Sequence, residues 1–207
     1  MPTKADRTKQ FIIEKVAPLF NKHGYAATSL FHITEATGLT KGAIYGNFTN
    51  KESLALAAYQ FNSQNLINQL EKVIQAKTHP FEKLSAFTNF YKNYRQFTTP
   101  IGGCPILNIG VDAIENNDAL SDSVKETIKS LEKMVTKVLT NGIESEIIHV
   151  RVLPAQFSKQ LITMLQGAVS MSSITGDYKY LTNTVMYLDQ LMNENLQIKK
   201  TLLDVFI

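Results

Sequence analysis

An all-α fold of about nine helices is what this sequence predicts, on three observations. Apolar residues recur at i, i+3, i+4 and i+7 in one segment after another of the 207 residues. Glycine and proline stand mostly between those segments, at Gly24, Gly38, Pro80, Pro105, Pro154 and Gly176, where they punctuate helices. Residues 28–51 carry the spacing of two short helices joined by a tight turn. With the segment before them they predict an N-terminal three-helix helix-turn-helix domain over residues 1–50, and a larger helical domain is expected over 51–207. A content of 44% hydrophobic and 19% charged residues supplies a core and excludes a solvated, disordered chain.

The first helix is expected over residues 4–22, because Ile12, Val16, Leu19 and Phe20 form one stripe and Gly24 follows as a stop. Pro18 lies inside it. A proline there deletes the bond to the carbonyl of Glu14 and costs roughly 3 kcal/mol, so a kink is expected at that point. In the next stretch the apolar positions are Leu30, Ile33 and Ala36, then Leu39, Ile44 and Phe48. Thr28 or Ser29 can cap the first of these two helices, Gly38 can supply the positive φ of the turn, and Thr40 can cap the second. The outward positions of that second helix are Thr40, Lys41, Gly42, Ala43, Tyr45 and Asn47. They offer a cation, hydroxyls and an amide beside two residues too small to hold a surface away, a face suited to a DNA major groove. Charge points the same way: residues 1–60 hold seven Lys and Arg against four Asp and Glu, whereas residues 61–207 hold fourteen of each. All the excess positive charge therefore lies with the helix-turn-helix, where a polyanionic partner would use it.

The run Gly38, Leu39, Thr40, Lys41, Gly42, Ala43, Ile44 and Tyr45, followed by Phe48 and by Lys51, Glu52, Ser53 and Leu54, resembles the signature of TetR-type (TetR/AcrR) transcriptional regulators. Phe20 to Gly24 with Thr28 and Ser29 match the same pattern upstream, so the likeness covers residues 4–55. Gly46 and Asn47 depart from it, standing where members of that family often carry an aromatic residue or a His. The resemblance implies that Thr40 and Lys41 reach base edges or adjacent phosphates, with Gly42 and Ala43 letting the helix approach the thymine methyl groups. It also implies that Ser29, Tyr45 and Lys51 hold phosphates.

A long helix is expected over residues 51–76, with Leu54, Ala58, Phe61, Leu66, Leu70, Val73 and Ile74 inward and the Asn, Gln and Lys side chains outward. At about 1.5 Å per residue it spans roughly 40 Å, and no Gly/Ser linker lies near residue 50, so the two domains are expected to be mechanically coupled. Pro80 opens an aromatic helix to residue 97, in which Phe87, Tyr91 and Tyr94 share one stripe and Phe90 and Phe97 the neighbouring one. These rings are either core or the wall of a cavity. Such a helix lines the effector site in the family the chain resembles, which makes Phe87, Phe90, Tyr91 and Tyr94 candidate effector contacts. A breaker-rich loop over residues 98–105 follows, and Pro105 suits the first position of the next helix, which places Cys104 at its N-cap. There a thiolate would be stabilised, so Cys104 is either a small buried residue or a reactive sensor of electrophiles or oxidants. Some TetR-type sensors carry a comparable Gly-Cys pair at this point.

Ser121 or Asp122 is expected to start a further helix, with Leu120, Val124, Ile128, Leu131, Val135 and Val138 inward, ending near Asn141 and Gly142 or one turn later. Residues 147–153 show no period and read as a loop or a short extended piece. Pro154 opens a helix to residue 174, Gly176 and Asp177 break it, and a last helix is expected over 180–200, with an apolar tail behind it. Gly167, Ala168, Ser170, Ser172 and Ser173 form a small-residue side that another helix can approach closely, and Met164, Met171, Met186 and Met192 add adaptable apolar surface. With Val185 and Leu188, these two helices are the expected homodimer interface, although a hairpin within one chain would use the same residues.

There is no Gly-rich phosphate loop, no Ser/His/Asp or Cys/His arrangement at known spacing and no metal cluster, and His23 and His32 have no partner ligands nearby in sequence. No catalytic residue, metal or cofactor is therefore expected, and the chain is not expected to be an enzyme. Cys104 alone forms no internal disulfide, the N-terminus is polar, and no apolar run approaches 18 residues. A cytoplasmic protein with no membrane partner is expected. The function so implied is a homodimeric repressor, bound to double-stranded operator DNA and released by a small-molecule effector. The competing reading is an all-helical ligand-binding or interaction protein that does not bind DNA.

Overall fold

The structure, a computed structural model, describes residues 3–149 and 153–196. The fold is all-α. Its helices are α1 Lys4–Ala27, α2 Leu30–Thr37, α3 Lys41–Tyr45, α4 Lys51–Gln75, α5 Pro80–Phe90, α6 Tyr94–Thr98, α7 Pro105–Asn116, α8 Asp118–Glu144, α9 Pro154–Thr175 and α10 Lys179–Leu196. The single aromatic helix expected after Pro80 is interrupted by a 3-10 turn at Tyr91–Asn93 and followed by another at Thr99–Ile101. Counted as one interrupted helix, α5 and α6 bring the described elements to the expected nine.

The kink in α1 is displaced from its expected place. Pro18 stays inside the helical run, and the residue with non-helical angles is Gly24, at φ 81° and ψ 171°. Glu14, whose carbonyl loses its partner at Pro18, is exposed, so solvent can take the place of that bond. Gly24 breaks the helix because its angles belong to a region that only glycine enters cheaply, and its carbonyl is taken up by the Thr28 hydroxyl at 2.6 Å.

α4 keeps Leu54, Ala58, Leu66 and Leu70 inward as its period requires. Its Asn62 is also buried, against the expectation that the amides face solvent, because the side chain donates to the carbonyl of Ala17 at 3.0 Å and so serves α1. α8 starts before Ser121. Asn117 is the only residue between α7 and α8 and serves both: its N–H donates to Ala113 O at 2.9 Å, and its Oδ1 accepts from Leu120 N at 2.8 Å. A residue that closes one helix and opens the next leaves no Gly or Pro signal for the boundary.

Two compact units result, but they do not divide at residue 50. One comprises Met1–Gln69 with Asn93–Lys129, the other Leu70–Lys92 with Ser130–Ile207, and α4 and α8 each run through both. The reason is that α1 lies against α7, which draws the segment after residue 93 into the N-terminal unit. The core of that unit includes Ile12, Val16, Phe20, Ile33, Ile44 and Leu54. In the other, Leu84, Phe87, Leu165, Val185 and Leu188 are buried on α5, α9 and α10, where α10 packs on α9 and α5, and Leu131 is buried on α8. No described helix is long and apolar enough to cross a membrane. The expected apolar tail and the last turn of the final helix lie outside the described residues, as do residues 150–152 of the expected loop.

Candidate nucleic-acid interface

The helix-turn-helix is built almost entirely from caps. Ser29 Oγ accepts from His32 N at 3.3 Å while His32 Nδ1 accepts from Ser29 N at 3.2 Å, so the two residues close the start of α2 reciprocally. Gly38 ends α2 at φ 68°, its N–H donating to Thr34 O at 2.8 Å. Thr40 Oγ1 then accepts from Ala43 N at 3.2 Å and opens α3. At the far end of α3, Gly46 N donates to Gly42 O and Asn47 Nδ2 to Ala43 O, both at 2.9 Å. Among the residues of α3 itself only Ile44 is buried.

Of the expected DNA contacts, Ser29, Thr40, Lys41 and Gly42 are exposed, Tyr45 is 36% exposed, and Ala43, Asn47 and Lys51 are half-buried. The oxygens of Ser29 and Thr40 are used as acceptors by the backbone, which leaves each hydroxyl hydrogen to donate outward. Residues 36–51 contain no Asp or Glu, so the face presents donors and cations. Asn47 has one amide hydrogen committed to Ala43 O and keeps its carbonyl oxygen. Lys51 is held: its Nζ lies 4.5 Å from the centre of the Tyr25 ring and 3.4 Å from Ala26 O. Partial burial pulls the Lys51 pKa below its ordinary value, and the carboxylate of Asp112 opposes that pull. Tyr25 and Asp112 have no place in the sequence reading, since neither falls on a periodic stripe. Phe31, 70% exposed two residues after Ser29, was equally unmarked.

In the expected effector region, Phe87 and Tyr91 are buried and Phe90 is half-buried, with ring centres of 5.9 Å for Phe87 and Tyr91 and 5.8 Å for Phe90 and Tyr91. Tyr94 is buried, and its hydroxyl donates to Cys104 Sγ at 3.1 Å. Cys104 is the N-cap of α7, as its place before Pro105 implies, but it makes no side-chain cap and is 3% exposed. An accessible thiol of lowered pKa was the sensor expectation, and the structure corrects it. Burial pushes the Cys104 pKa up, outweighing the hydrogen bonds from Tyr94 and from the Leu107 and Ile106 N–H groups that pull it down. Alkylation by a maleimide in the native state is accordingly expected to be slow and to quicken only above the ordinary thiol range of about pH 8.5. Burial raises the Tyr59 hydroxyl as well. Both groups bind their protons more tightly folded than unfolded, so their contribution to stability is complete below the unfolded values and fades as pH rises past them. Fast alkylation at neutral pH with the fold intact would contradict this.

An open cleft of about 230 Å³ is lined by Ile74, Met134 and Val138 with Glu71, Lys83 and Lys137. Its residues come from three helices, so no local pattern reveals it.

The last two helices revise the expected dimer face. Ala168, Val185, Leu188 and Met192 are buried against the rest of their own chain and leave nothing for a second copy to touch. Met164 is half-buried, and Gly167 and Met171 are exposed. Beside them Ile174 is 74% exposed, and Tyr180, Met186 and Tyr187 are exposed too. A shallow groove of about 470 Å³ runs along this side, lined by Phe157, Met164, Tyr187 and Leu191 among others. Phe157, Met164 and Met171 stand seven apart, as do Gly167 and Ile174, and Tyr180 and Tyr187. That heptad spacing sets exposed and half-buried apolar residues along one side of each helix, a pattern the small-residue run obscured. Among the described residues no group of three or more His, Cys, Asp or Glu is placed to hold a metal ion.

Comparison with known proteins agrees with this geometry. Residues 12–58 match the family described as "Bacterial regulatory proteins, tetR family", and residues 80–188 match "Tetracyclin repressor-like, C-terminal domain". A TetR-family transcriptional regulator from Cytophaga hutchinsonii is 35% identical, with a TM-score of 0.90 over 97% of this chain and 100% of its own. A TetR transcriptional regulator from Chloroflexus aurantiacus is 28% identical, with a TM-score of 0.88 over 94% of this chain and 98% of its own. The HTH-type transcriptional regulator YxaF of Bacillus subtilis is 24% identical across 86% of this chain and 90% of its own length.

Proposed function

The chain belongs to the TetR family of bacterial regulatory proteins and is a DNA-binding transcriptional regulator, and from that premise we propose a homodimeric repressor that leaves its operator when a small molecule binds. The observation that carries the reading is the donor-rich, acid-free face around α3. On it, Thr40 and Lys41 read base edges, and Asn47 adds an acceptor where its carbonyl reaches a base donor. Gly42 and Ala43 admit the groove wall, and Ser29, Tyr45 and Lys51 hold phosphates. The exposed side of α9 and α10, with Phe157, Met164, Gly167, Met171, Ile174 and Tyr187, joins two copies. Two reading heads then meet two half-sites roughly 34–36 Å apart.

Effector contacts are proposed separately in each unit: the ring cluster of Phe87, Phe90 and Tyr91, and the hydrogen-bonded pair Tyr94 and Cys104. The 230 Å³ cleft supports a third location, because Lys83 and Lys137 outnumber Glu71 beside Ile74, Met134 and Val138, which suits an acidic molecule with an apolar body. Wherever it binds, the ligand acts only through its preference for one arrangement of α4 over another, since a molecule that binds both equally shifts nothing. A gel shift on the DNA upstream of its own gene tests the function: a band that resists unrelated competitor DNA is expected. No shift even at low salt would favour the helical binding protein without DNA activity.

A further inference from the structure

We propose that Asp112, on α7, is a positioning residue for the DNA-reading helices: it fixes the short turn between Gly24 and Ser29 and, through that turn, the ammonium of Lys51. Gly24 interrupts α1, so the N–H groups just beyond it need other acceptors. Asp112 Oδ2 supplies one, accepting from Tyr25 N at 2.5 Å and from Ala26 N at 3.4 Å. A Cβ on Gly24 would lie 3.0 Å from Asp112 Cγ, so the missing side chain is what lets the carboxylate in. The other side of the same turn carries Lys51, with Nζ over the Tyr25 ring and 3.4 Å from Ala26 O. One peptide segment is thus held from its N–H side by Asp112 and from its ring and carbonyl side by Lys51.

A second grip lies one turn back on each helix. Asn108 Nδ2 donates to Asn21 O at 2.9 Å and to Gly102 O at 3.1 Å, and Asn21 Nδ2 donates to Ile101 O and Gly103 O at 2.7 Å each. With α1 fixed there, the carboxylate of Asp112 sets the direction in which the chain leaves α1 toward α2. Any shift of α7 therefore reaches Ser29 and Lys51 through Asp112 before it reaches α3.

The proposal rests on Lys51 as a phosphate contact, and the test separates the two. The full-length protein is titrated against a fluorescent duplex from the region upstream of its gene, across a salt series, as wild type, Asp112→Ala, Lys51→Ala and the double variant. Simple electrostatics expects the loss of a carboxylate to tighten DNA binding. Positioning expects the opposite: Asp112→Ala binds about tenfold more weakly and its salt slope falls by about one per protomer, as in Lys51→Ala. The double variant is no worse than Lys51→Ala alone, and Asp112→Asn, which keeps an acceptor, recovers most of the affinity. Unchanged or tighter binding by Asp112→Ala, or losses that multiply in the double variant, overturns the positioning role alone. Unchanged binding by Lys51→Ala overturns the phosphate contact and the proposal with it. If Asp112→Ala loses its helical content, Asp112→Glu carries the test, since it keeps the charge and moves the carboxylate by one methylene. Weaker binding is then expected, and wild-type binding by Asp112→Glu overturns the proposal.

Discussion

Gly167→Arg is expected to yield a folded monomer that binds operator DNA at least about a hundredfold more weakly than wild type, the scale on which joining two sites raises affinity. Gly167 is exposed in the middle of α9, and a Cβ built on it meets nothing within 4 Å, so the protomer has room for the side chain. Glycine inside a helix is roughly 0.5–1 kcal/mol less favourable than alanine, so the variant protomer gains helix propensity. In a dimer joined along Met164, Met171 and Ile174, the same arginine would bury an unpaired guanidinium, at a cost of several kcal/mol. Light scattering should then report one chain per particle with an unchanged or higher melting temperature. A stable Gly167→Arg dimer would move the interface to another face.

The second large effect concerns the DNA face. Replacing Lys41, Tyr45 and Lys51 together by alanine should abolish the specific gel shift while leaving the fold intact, because the only buried side chain of α3, Ile44, is untouched. Taken singly, the two lysines should behave differently. Lys51→Ala should weaken binding to all DNA about equally and lower the salt slope by roughly one per protomer. Lys41→Ala should in addition relax the preference among operator variants, by about 1–3 kcal/mol at the base pair it reads. The triple variant binding as well as wild type would leave the DNA contacts on another surface.

What the sequence disclosed depended on whether the deciding interaction was local. Ser29, Gly38 and Thr40 act within three or four residues of themselves, and each was read from its neighbours and found in its expected capping or turn position. The inward stripe of α8 is local in the same sense. Asn62 and Asn117 were misjudged or unmarked because each answers to a partner or a boundary that periodicity does not express, whereas Gly24, read as a stop, does break α1. Asp112 lies 87 residues from Tyr25, and no pattern along the chain joins them. Cys104 shows the limit within a local reading: its N-cap position was legible, but the sign of its pKa shift depends on how much solvent its neighbours exclude. In the last two helices, composition pointed to small residues, whereas burial turned half of those expected positions inward and left the heptad-spaced apolar residues outside.

The proposed reading helix, α3, is five residues long, closed by Thr40 at one end and Asn47 near the other, with a single side chain committed to the core. Lys41, Gly42, Ala43 and Tyr45 can therefore change identity while Ile44 and the caps keep the helix in place. With the DNA contacts proposed above, operator choice is separable from foldability, so a lineage would acquire a new target sequence by substitutions that selection on stability does not see. The same separation makes these four positions a natural library for retargeting the protein, in which failures report on recognition and not on collapse of the scaffold.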